Sequence, residues 1–371
     1  MKIIHIIPNL KKGGAERLVL NIVQELTSRS NVEVCLVIFS NDNHYPFLSE
    51  NIDLRVIPAQ VIPSIKGPGV VKVHQLQEFI NDFKPNVIHT HLFLSEMIVS
   101  KLKLDKSVIR IVHFHDNILQ FSNITWRSIF SKKKITNFYE RLIVLKSYSK
   151  NTKIICISKD TFEFAQSVFK GKVQSILLFN SIDLKRFNRI DENIHSKDIT
   201  IIGSLVDKKG QSLAIEVISV LKKRGFDVNL NILGDGINKS ALKALVEKLV
   251  IKSNVFFHGN QDFPEIFLQK SYLYLHTAIY EPFGLVLIEA MATGLPIVCT
   301  DGKGNRDLIV EGENGFMIWE RNPELIADKI ELLLTNNSMR NEMSEKAFRF
   351  AQQFGINHYI DKLIDIYQKS L

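Results

Sequence analysis

Two carboxylates stand out by their surroundings. In YEPFGLVLIEAMATGLPIVCT, residues 280–300, one charged residue, Glu289, lies between Pro282 and Thr300, and a second, Glu281, stands at the mouth of that run. A buried carboxylate without donors costs several kcal/mol. Leu285 to Ala292 has helical composition, Pro282 and Gly284 break the chain before it, and Gly294 and Pro296 end it. Glu281 is then in a strand-to-helix loop and Glu289 about one turn into the helix. Ribose hydroxyls are suitable donors for such groups. In the plainer reading Glu289 faces solvent and Glu281 caps the helix.

Glycine-bearing turns form a second set. KKGGAERL, residues 11–18, sits where a strand turns into a helix. Gly13 and Gly14 let backbone approach a ligand there, and the free N–H groups of the helix favour an anion. GSLVDKKGQSL, residues 203–213, repeats that pattern, with Lys209 placed to neutralise a diphosphate. ILGDG adds Gly234 at another strand end. The full G-x-G-x-x-G spacing is absent, and no acidic residue follows the second strand at a ribose position, which disfavours a nicotinamide dinucleotide. A third set is imidazole: His89 and His91 in HTH, His113 and His115 in HFH. Residues two apart on a strand face one side. Four imidazoles could bind a metal. No Asp-x-Asp accompanies them, and the other readings are one polar active-site histidine or structural histidines.

These residues need strands that end together. KIIHIIP (2–8), VEVCLVIFS (32–40), DLRVIP (53–58), NVIHTH (86–91), VIRIVHFH (108–115), KIICIS (153–158) and VQSILLF (173–179) read as buried strands, with helical stretches between most of them. A polar stretch, DLKRFNRIDENIHSKD (183–198), reads as a linker. The pattern restarts with ITIIGSL (199–205), VNLNILGD (228–235), VFFHG (255–259), YLYLHTA (272–278), PIVCT (296–300) and GFMIW (315–319), and helices finish the chain from Pro323. The reading is two doubly wound α/β domains, residues 1–185 and 186–352, and a C-terminal helix, 353–371, returning to the first domain. Such sheets bind ligands at the carboxyl ends of their strands, and two facing domains would place a cleft between them.

The chain has 371 residues, 45% hydrophobic and 23% charged, with a net charge of +8. That favours a globular protein of more than one domain. No apolar run is long enough to span a bilayer, and a cytoplasmic location is expected. Cys35, Cys156 and Cys299 are far apart and read as buried thiols without metal or redox spacing. Residues 1–190 hold 27 Lys+Arg against 15 Asp+Glu, a net +12, while residues 191–371 hold 20 against 24, a net −4. The excess concentrates in residues 101–150, with 11 basic and 3 acidic side chains. A basic half suggests an anionic partner. No nucleic-acid-binding signature is present, so no nucleic-acid partner is expected. An anionic membrane face is the other candidate, the alternative being a solvated charged surface.

Together these motifs resemble glycosyltransferase family 4, the retaining nucleotide-sugar enzymes with the GT-B fold. EPFGLVLIE matches the family's Glu-x7-Glu motif. GGAE, FNSID (179–183), GSLVDKKG, ILGDG and GKGNRDLIVEGENGFMI (302–318) follow the family's order along nearly the whole chain. The resemblance implies that Glu289 bonds the nucleotide ribose and Glu281 sits by the transferring sugar. It implies that the amides of Phe283, Gly284 and Leu285 face the sugar and diphosphate. Lys209 binds the diphosphate, with Gly13, Gly14 and Gly234 in the donor site. His115 stands at the family's active-site histidine, with His113 the competing register. It further implies a donor such as a UDP-sugar, a glycan or lipid-linked acceptor, bacterial cell-surface polysaccharide or glycolipid synthesis and no metal cofactor, while the basic first half suggests a peripheral membrane location. Two positions depart from the family. Ser204 stands where an arginine is usual, with Lys208 or Arg306 as substitutes, and NSID replaces NGID. Ser204 favours a second reading, a non-catalytic nucleotide-sugar-binding relative. A Rossmann oxidoreductase is a third.

Overall fold

Apolar strands without polar alternation need cover on both faces, and the chain supplies it twice. The computed structural model describes residues 1–62, 69–121, 131–189 and 197–371. They form two units, Met1–Asn180 with Ile356–Leu371, and Ser181–Gly355. The polar stretch expected as a linker begins inside the second unit, and its residues 190–196 lie outside the described residues.

In the first unit the order is β1 (Lys2–Ile7), α1 (Gly14–Thr27), β2 (Glu33–Ile38), α2 (Pro46–Ser49), β3 (Asp53–Val56), β4 (Gln60–Ile62), β5 (Val70–Lys72), α3 (His74–Phe83), β6 (Val87–His91), α4 (Leu92–Val99), β7 (Ile109–Phe114), α5 (Lys132–Ser147), β8 (Thr152–Cys156), α6 (Lys159–Phe169) and β9 (Gln174–Leu177). The second unit holds β10 (Asp198–Ile202), α7 (Gln211–Lys223), β11 (Asn229–Leu233), α8 (Lys239–Lys248), β12 (Val255–Gly259), α9 (Pro264–Gln269), β13 (Leu273–His276), α10 (Leu285–Ala292), β14 (Ile297–Thr300), β15 (Gly315–Ile318), α11 (Pro323–Thr335) and α12 (Asn337–Ala351). The last helix, α13 (Ile356–Gln368), belongs to the first unit.

Both main sheets are parallel. The first runs β3-β2-β1-β6-β7-β8-β9 and the second β12-β11-β10-β13-β14-β15. Each reverses its direction of growth once, between β1 and β6 and between β10 and β13. Crevices open at such switch points, outside the carboxyl ends of the strands. The sequence motifs sit there: Gly13–Gly14 follows β1, Lys209 follows β10, and Glu281 follows β13. A short antiparallel pair, β4 with β5, is a feature that sequence reading missed.

Strand alternation divides the first core. Ile3 and Ile7 pack with Leu18, Val19 and Ile22 of α1 and with Ile360 and Leu363 of α13. Ile4 and Ile6 pack on the opposite face with Leu76, Ile80, Met97 and Phe114. The three cysteines are buried thiols. On the second face Glu96 of α4 pairs with Arg110 of β7 at 2.7 Å, and the two residues are 1% and 4% exposed. Tyr148 Oη donates to the same carboxylate at 3.0 Å, Thr90 donates from β6, and Arg110 Nη1 donates to Ser147 Oγ at 2.8 Å. The network ties β6, β7, α4 and α5 together. Removing one partner strands a buried charge, at a cost of about 3–5 kcal/mol. Glu96→Ala is therefore expected to lower the urea midpoint of the first unit strongly with little change in the dependence on denaturant. A shift worth under about 1 kcal/mol would show that the pair is dispensable.

Candidate functional site

The site of the second unit is built on close backbone approaches. Gly203 N donates to Leu233 O at 2.9 Å, and Gly234 N donates to Gly259 O at 2.7 Å. Gly234 has φ +136°, and a Cβ there would lie 2.0 Å from Gly203 O. Its glycine is thus required to lay the loop after β11 against the loop after β10.

The loop after β10 is stitched to the segment after β13. Ile279 N donates to Lys208 O at 2.8 Å, and Thr277 Oγ1 donates to Gly210 O at 2.8 Å. This brings Lys209 Nζ to 2.7 Å from Glu281 Oε2. His276 Nε2 lies 3.3 Å from the same oxygen. Glu281 is 7% exposed, so its charge is largely taken from water. Burial alone would raise its carboxyl, but the His276 imidazole and the Lys209 ammonium outweigh burial and hold it down at about 2. Glu281 is an anion at neutral pH. Lys209 keeps two more N–H donors for a second anion.

Backbone fixes the rest of the loop. Glu281 N donates to Gly302 O at 2.8 Å, and Gly304 N donates to Glu281 O at 3.0 Å. A Cβ on Gly304 would meet Pro282 O at 1.9 Å. The Phe283 ring is buried at 1% exposure and stands edge-on to Phe354, so the ring is core. Gly284 takes φ +104°, which favours glycine, and aims the first amides of α10 out of its N-terminus, beginning at Leu285. Glu289 is half-buried on that helix. Burial pushes the Tyr274 hydroxyl well up, and both Glu281 and Glu289 add to the shift. Tyr274 Oη accepts from Ile202 N at 3.3 Å.

Sequence reading missed His276 and Arg321. The signal for His276 was an imidazole closing an otherwise apolar strand. Arg321 Nη1 donates to Thr277 O at 2.9 Å and braces the same segment. Of the two substitutes for the missing arginine, Lys208 is exposed, and Arg306 forks onto Asp301 at 2.7 and 2.6 Å. Ser204 is exposed.

Gly13, Gly14 and His115 belong to the first unit. Gly14 opens α1, and Gly13 is its extended N-cap without a side-chain cap. Tyr45 braces the turn, with Gly13 N donating to Tyr45 Oη at 3.0 Å. A Cβ on Gly13 would meet only the flexible end of Glu16. The register of the strands pairs His5 with His89 and His91 with His113. His115 follows β7. Five imidazoles, one more than sequence reading grouped, thus share one sheet face, in contact with Tyr367 of α13. Among the described residues, His5–His89–His91 and His91–His113–His115 each bring ring nitrogens within 4.8 Å, close enough to hold a metal ion.

Residues 12–186 match the family described as Glycosyltransferase Family 4, and residues 185–350 match Glycosyl transferases group 1. The poly(glycerol-phosphate) alpha-glucosyltransferase of Bacillus subtilis is 25% identical over 69% of this chain, a match covering 36% of that enzyme. An N-acetylgalactosamine-N,N'-diacetylbacillosaminyl-diphospho-undecaprenol 4-alpha-N-acetylgalactosaminyltransferase of Campylobacter jejuni is 28% identical over 61% of this chain and 62% of its own length. The structure of Anabaena HepE with UDP-glucose superposes with a TM-score of 0.81 at 19% identity, covering all of both chains. At that identity the likeness is one of fold. Two family matches in succession and a two-sheet GT-B architecture place this chain among the family 4 glycosyltransferases.

Proposed function

We propose that the chain transfers a sugar from a UDP-sugar to a glycan or lipid-linked acceptor in bacterial cell-surface polymer synthesis, with retention of anomeric configuration. The observation that carries the reading is the ionised Glu281 held by Lys209 and His276 beside the N-terminus of α10. The departing diphosphate builds negative charge. Lys209 and the first amides of α10 supply fixed positive ends for that charge, the kind of stabilisation that dominates such steps. Glu281, as an anion, cannot be the proton donor at neutral pH. Its place is beside the positive charge that grows on the sugar ring. The diphosphate itself takes the acceptor proton, so no protein nucleophile is required. UDP-glucose in HepE and the undecaprenol-linked acceptor named for the Campylobacter relative support the choice of donor and acceptor class.

A non-catalytic relative is the second reading, favoured by the exposed Ser204 in place of a cation. Incubation with UDP-sugars and a diphospho-lipid acceptor separates the two. UDP release coupled to a heavier lipid supports the enzyme, and UDP binding without turnover supports the other reading.

Four outcomes are expected. Glu289→Ala should weaken UDP binding about tenfold or more, the value of a lost hydrogen bond to a charged group. Glu281→Ala should leave UDP affinity near that of the parent and slow transfer. Calorimetric titration showing both variants equal to the parent would reverse the assignment of ribose to Glu289. Transfer should also survive EDTA, because Lys209 and helix N-termini carry the diphosphate charge. Complete loss restored by one added metal would overturn that.

The fourth outcome concerns location. No helix among the described residues is long and apolar enough to cross a membrane. Helix α5 exposes Ile135, Phe138 and Leu142 along one side, beside exposed Lys133 and Lys134. Apolar side chains among lysines suit an anionic bilayer surface, each lysine adding about 1 kcal/mol. Trp126, Ile129 and Phe130, which extend the same sequence pattern, lie outside the described residues. Co-sedimentation with anionic vesicles should be clear at low salt and weak at high salt. Changing Lys132, Lys133 and Lys134 together to Glu should abolish it and leave UDP affinity intact. Equal binding to neutral and anionic vesicles, or none to either, would point to a soluble acceptor.

A further inference from the structure

The five imidazoles of the first unit and Tyr367 are joined end to end. His113 Nδ1 meets His89 Nε2 at 3.2 Å, and His89 Nδ1 meets Tyr367 Oη at 2.6 Å. Tyr367 Oη meets His5 Nε2 at 3.3 Å. His5 Nδ1 meets His91 Nε2 at 2.9 Å, and His91 Nδ1 meets His115 Nε2 at 2.9 Å. One end of this chain, His113 Nε2, is buried and has no partner. The other end is the half-buried ring of His115.

Burial keeps these rings neutral. It holds His5 and His115 at about 3 and the other three well below the usual histidine range. A neutral imidazole has one N–H and one bare nitrogen, and the phenol has one O–H. If every contact is to hold one hydrogen, all groups must donate toward His115 or all toward His113. Donation toward His113 would leave an N–H at its buried Nε2 with nothing to accept it. An orphaned buried N–H is rare and costly. Donation toward His115 leaves His113 Nε2 as a bare nitrogen, the milder defect. All five rings then carry hydrogen on Nδ1.

We propose that His91 is a positioning residue which, at the end of the buried series His113, His89, Tyr367 and His5, fixes His115 as a neutral Nδ1–H donor. The role of His115 toward sugar or acceptor rests on the transferase reading, whereas its tautomer does not. With Nε2 already accepting from His91 and Nδ1 carrying hydrogen, His115 gives a hydrogen bond and does not act as a general base. That suits a group which holds a hydroxyl or phosphoryl oxygen while the diphosphate takes the proton.

The same count argues against a metal ion on His91, His113 and His115. An ion held by His91 Nδ1, His113 Nε2 and His115 Nε2 would leave four contacts, from His113 through His89, Tyr367 and His5 to His91, to be filled by five hydrogens. Two donors would then face each other, or Tyr367 would have to ionise, and burial pushes its hydroxyl well up.

The test is two-bond hydrogen–nitrogen NMR of the full chain with 15N-labelled histidine. The expected result is five of the 11 histidines as single Nδ1–H tautomers. Tyr367→Phe cuts the series in the middle, so His89 and His113 should become mixtures while His115 keeps its tautomer. His91→Phe should release His115 to a mixture and lower kcat severalfold with the KM for donor unchanged. His91→Asn, whose amide nitrogen can stand in for Nδ1–H, should restore both in part. An Nε2–H tautomer at His115 in the parent protein, or stoichiometric Zn2+ binding by calorimetry that shifts these five signals, would overturn the proposal. Tautomers as expected in a protein without turnover would leave the positioning intact and remove the transferase reading instead.

Discussion

One ion pair organises the second unit. Glu281 follows β13, Lys209 follows β10, and their 2.7 Å contact spans the point where the sheet changes direction. Taking both groups largely out of water costs free energy that attraction repays only with good geometry and further donors. His276 Nε2 stands 3.3 Å from the same oxygen, and the geometry comes from backbone: Gly302 and Gly304 grip the peptide of Glu281 from one side, and Gly210, at φ +65°, lets the lysine loop reach Thr277 from the other. The sign of the pH effect follows. The folded carboxyl sits at about 2, below its ordinary 4.5. Its contribution to stability is therefore fully present above about pH 4.5 and is lost as pH falls toward 2.

The two units handle the polar groups at their switch points by opposite means. The second uses charge, with a carboxylate and an ammonium in contact and the N-terminus of α10 following in sequence. The first, although it carries the basic excess of the chain, keeps its switch-point face neutral. His89 and His91 at the carboxyl end of β6, with His5 on β1 beside them, are buried below the level at which an imidazolium could be hydrated. A neutral face satisfies its polar atoms by bonding them to one another. Tyr367 is essential to that arrangement, since its hydroxyl both gives and takes. It arrives from the far end of the chain, on α13.

Much of this was legible in the sequence, for physical reasons. Strands buried on both faces leave continuous apolar runs, so KIIHIIP and VIRIVHFH could be placed within a residue or two. Helix α10 was bounded correctly because Gly284 and Gly294 both take positive φ, where glycine is favoured. The antiparallel β4–β5 pair was invisible because strands of three residues, exposed but for Val61, leave no period to read. His276 was overlooked for a different reason. Its importance comes from a partner five residues on, across a turn, and an isolated imidazole at a strand end carries no spacing signal. His5 was missed in the same way, because only the register of β1 against β6 brings it beside His89. Tyr367 is farther still from any local pattern. Sequence shows which residues could do chemistry, whereas the order of strands in a sheet decides which of them meet.

That distinction bears on the missing arginine at Ser204. A cation lost from a binding loop weakens charge stabilisation only if no other donor can reach the same oxygen atoms. Arg306 is held in a fork by Asp301, and sharing it with a diphosphate would mean competing with a carboxylate already in place. Lys209 is also paired, but through one of its three N–H groups, and a lysine ammonium can serve two anions at once. The pairing restrains the Lys209 side chain, so on the proposed reading less side-chain freedom is lost when a diphosphate arrives. A loop that has one lysine pre-positioned by Glu281 needs its second cation less than a loop whose lysine is free in solvent. On the proposed reading, Glu281 thus holds in place the lysine that would meet the diphosphate.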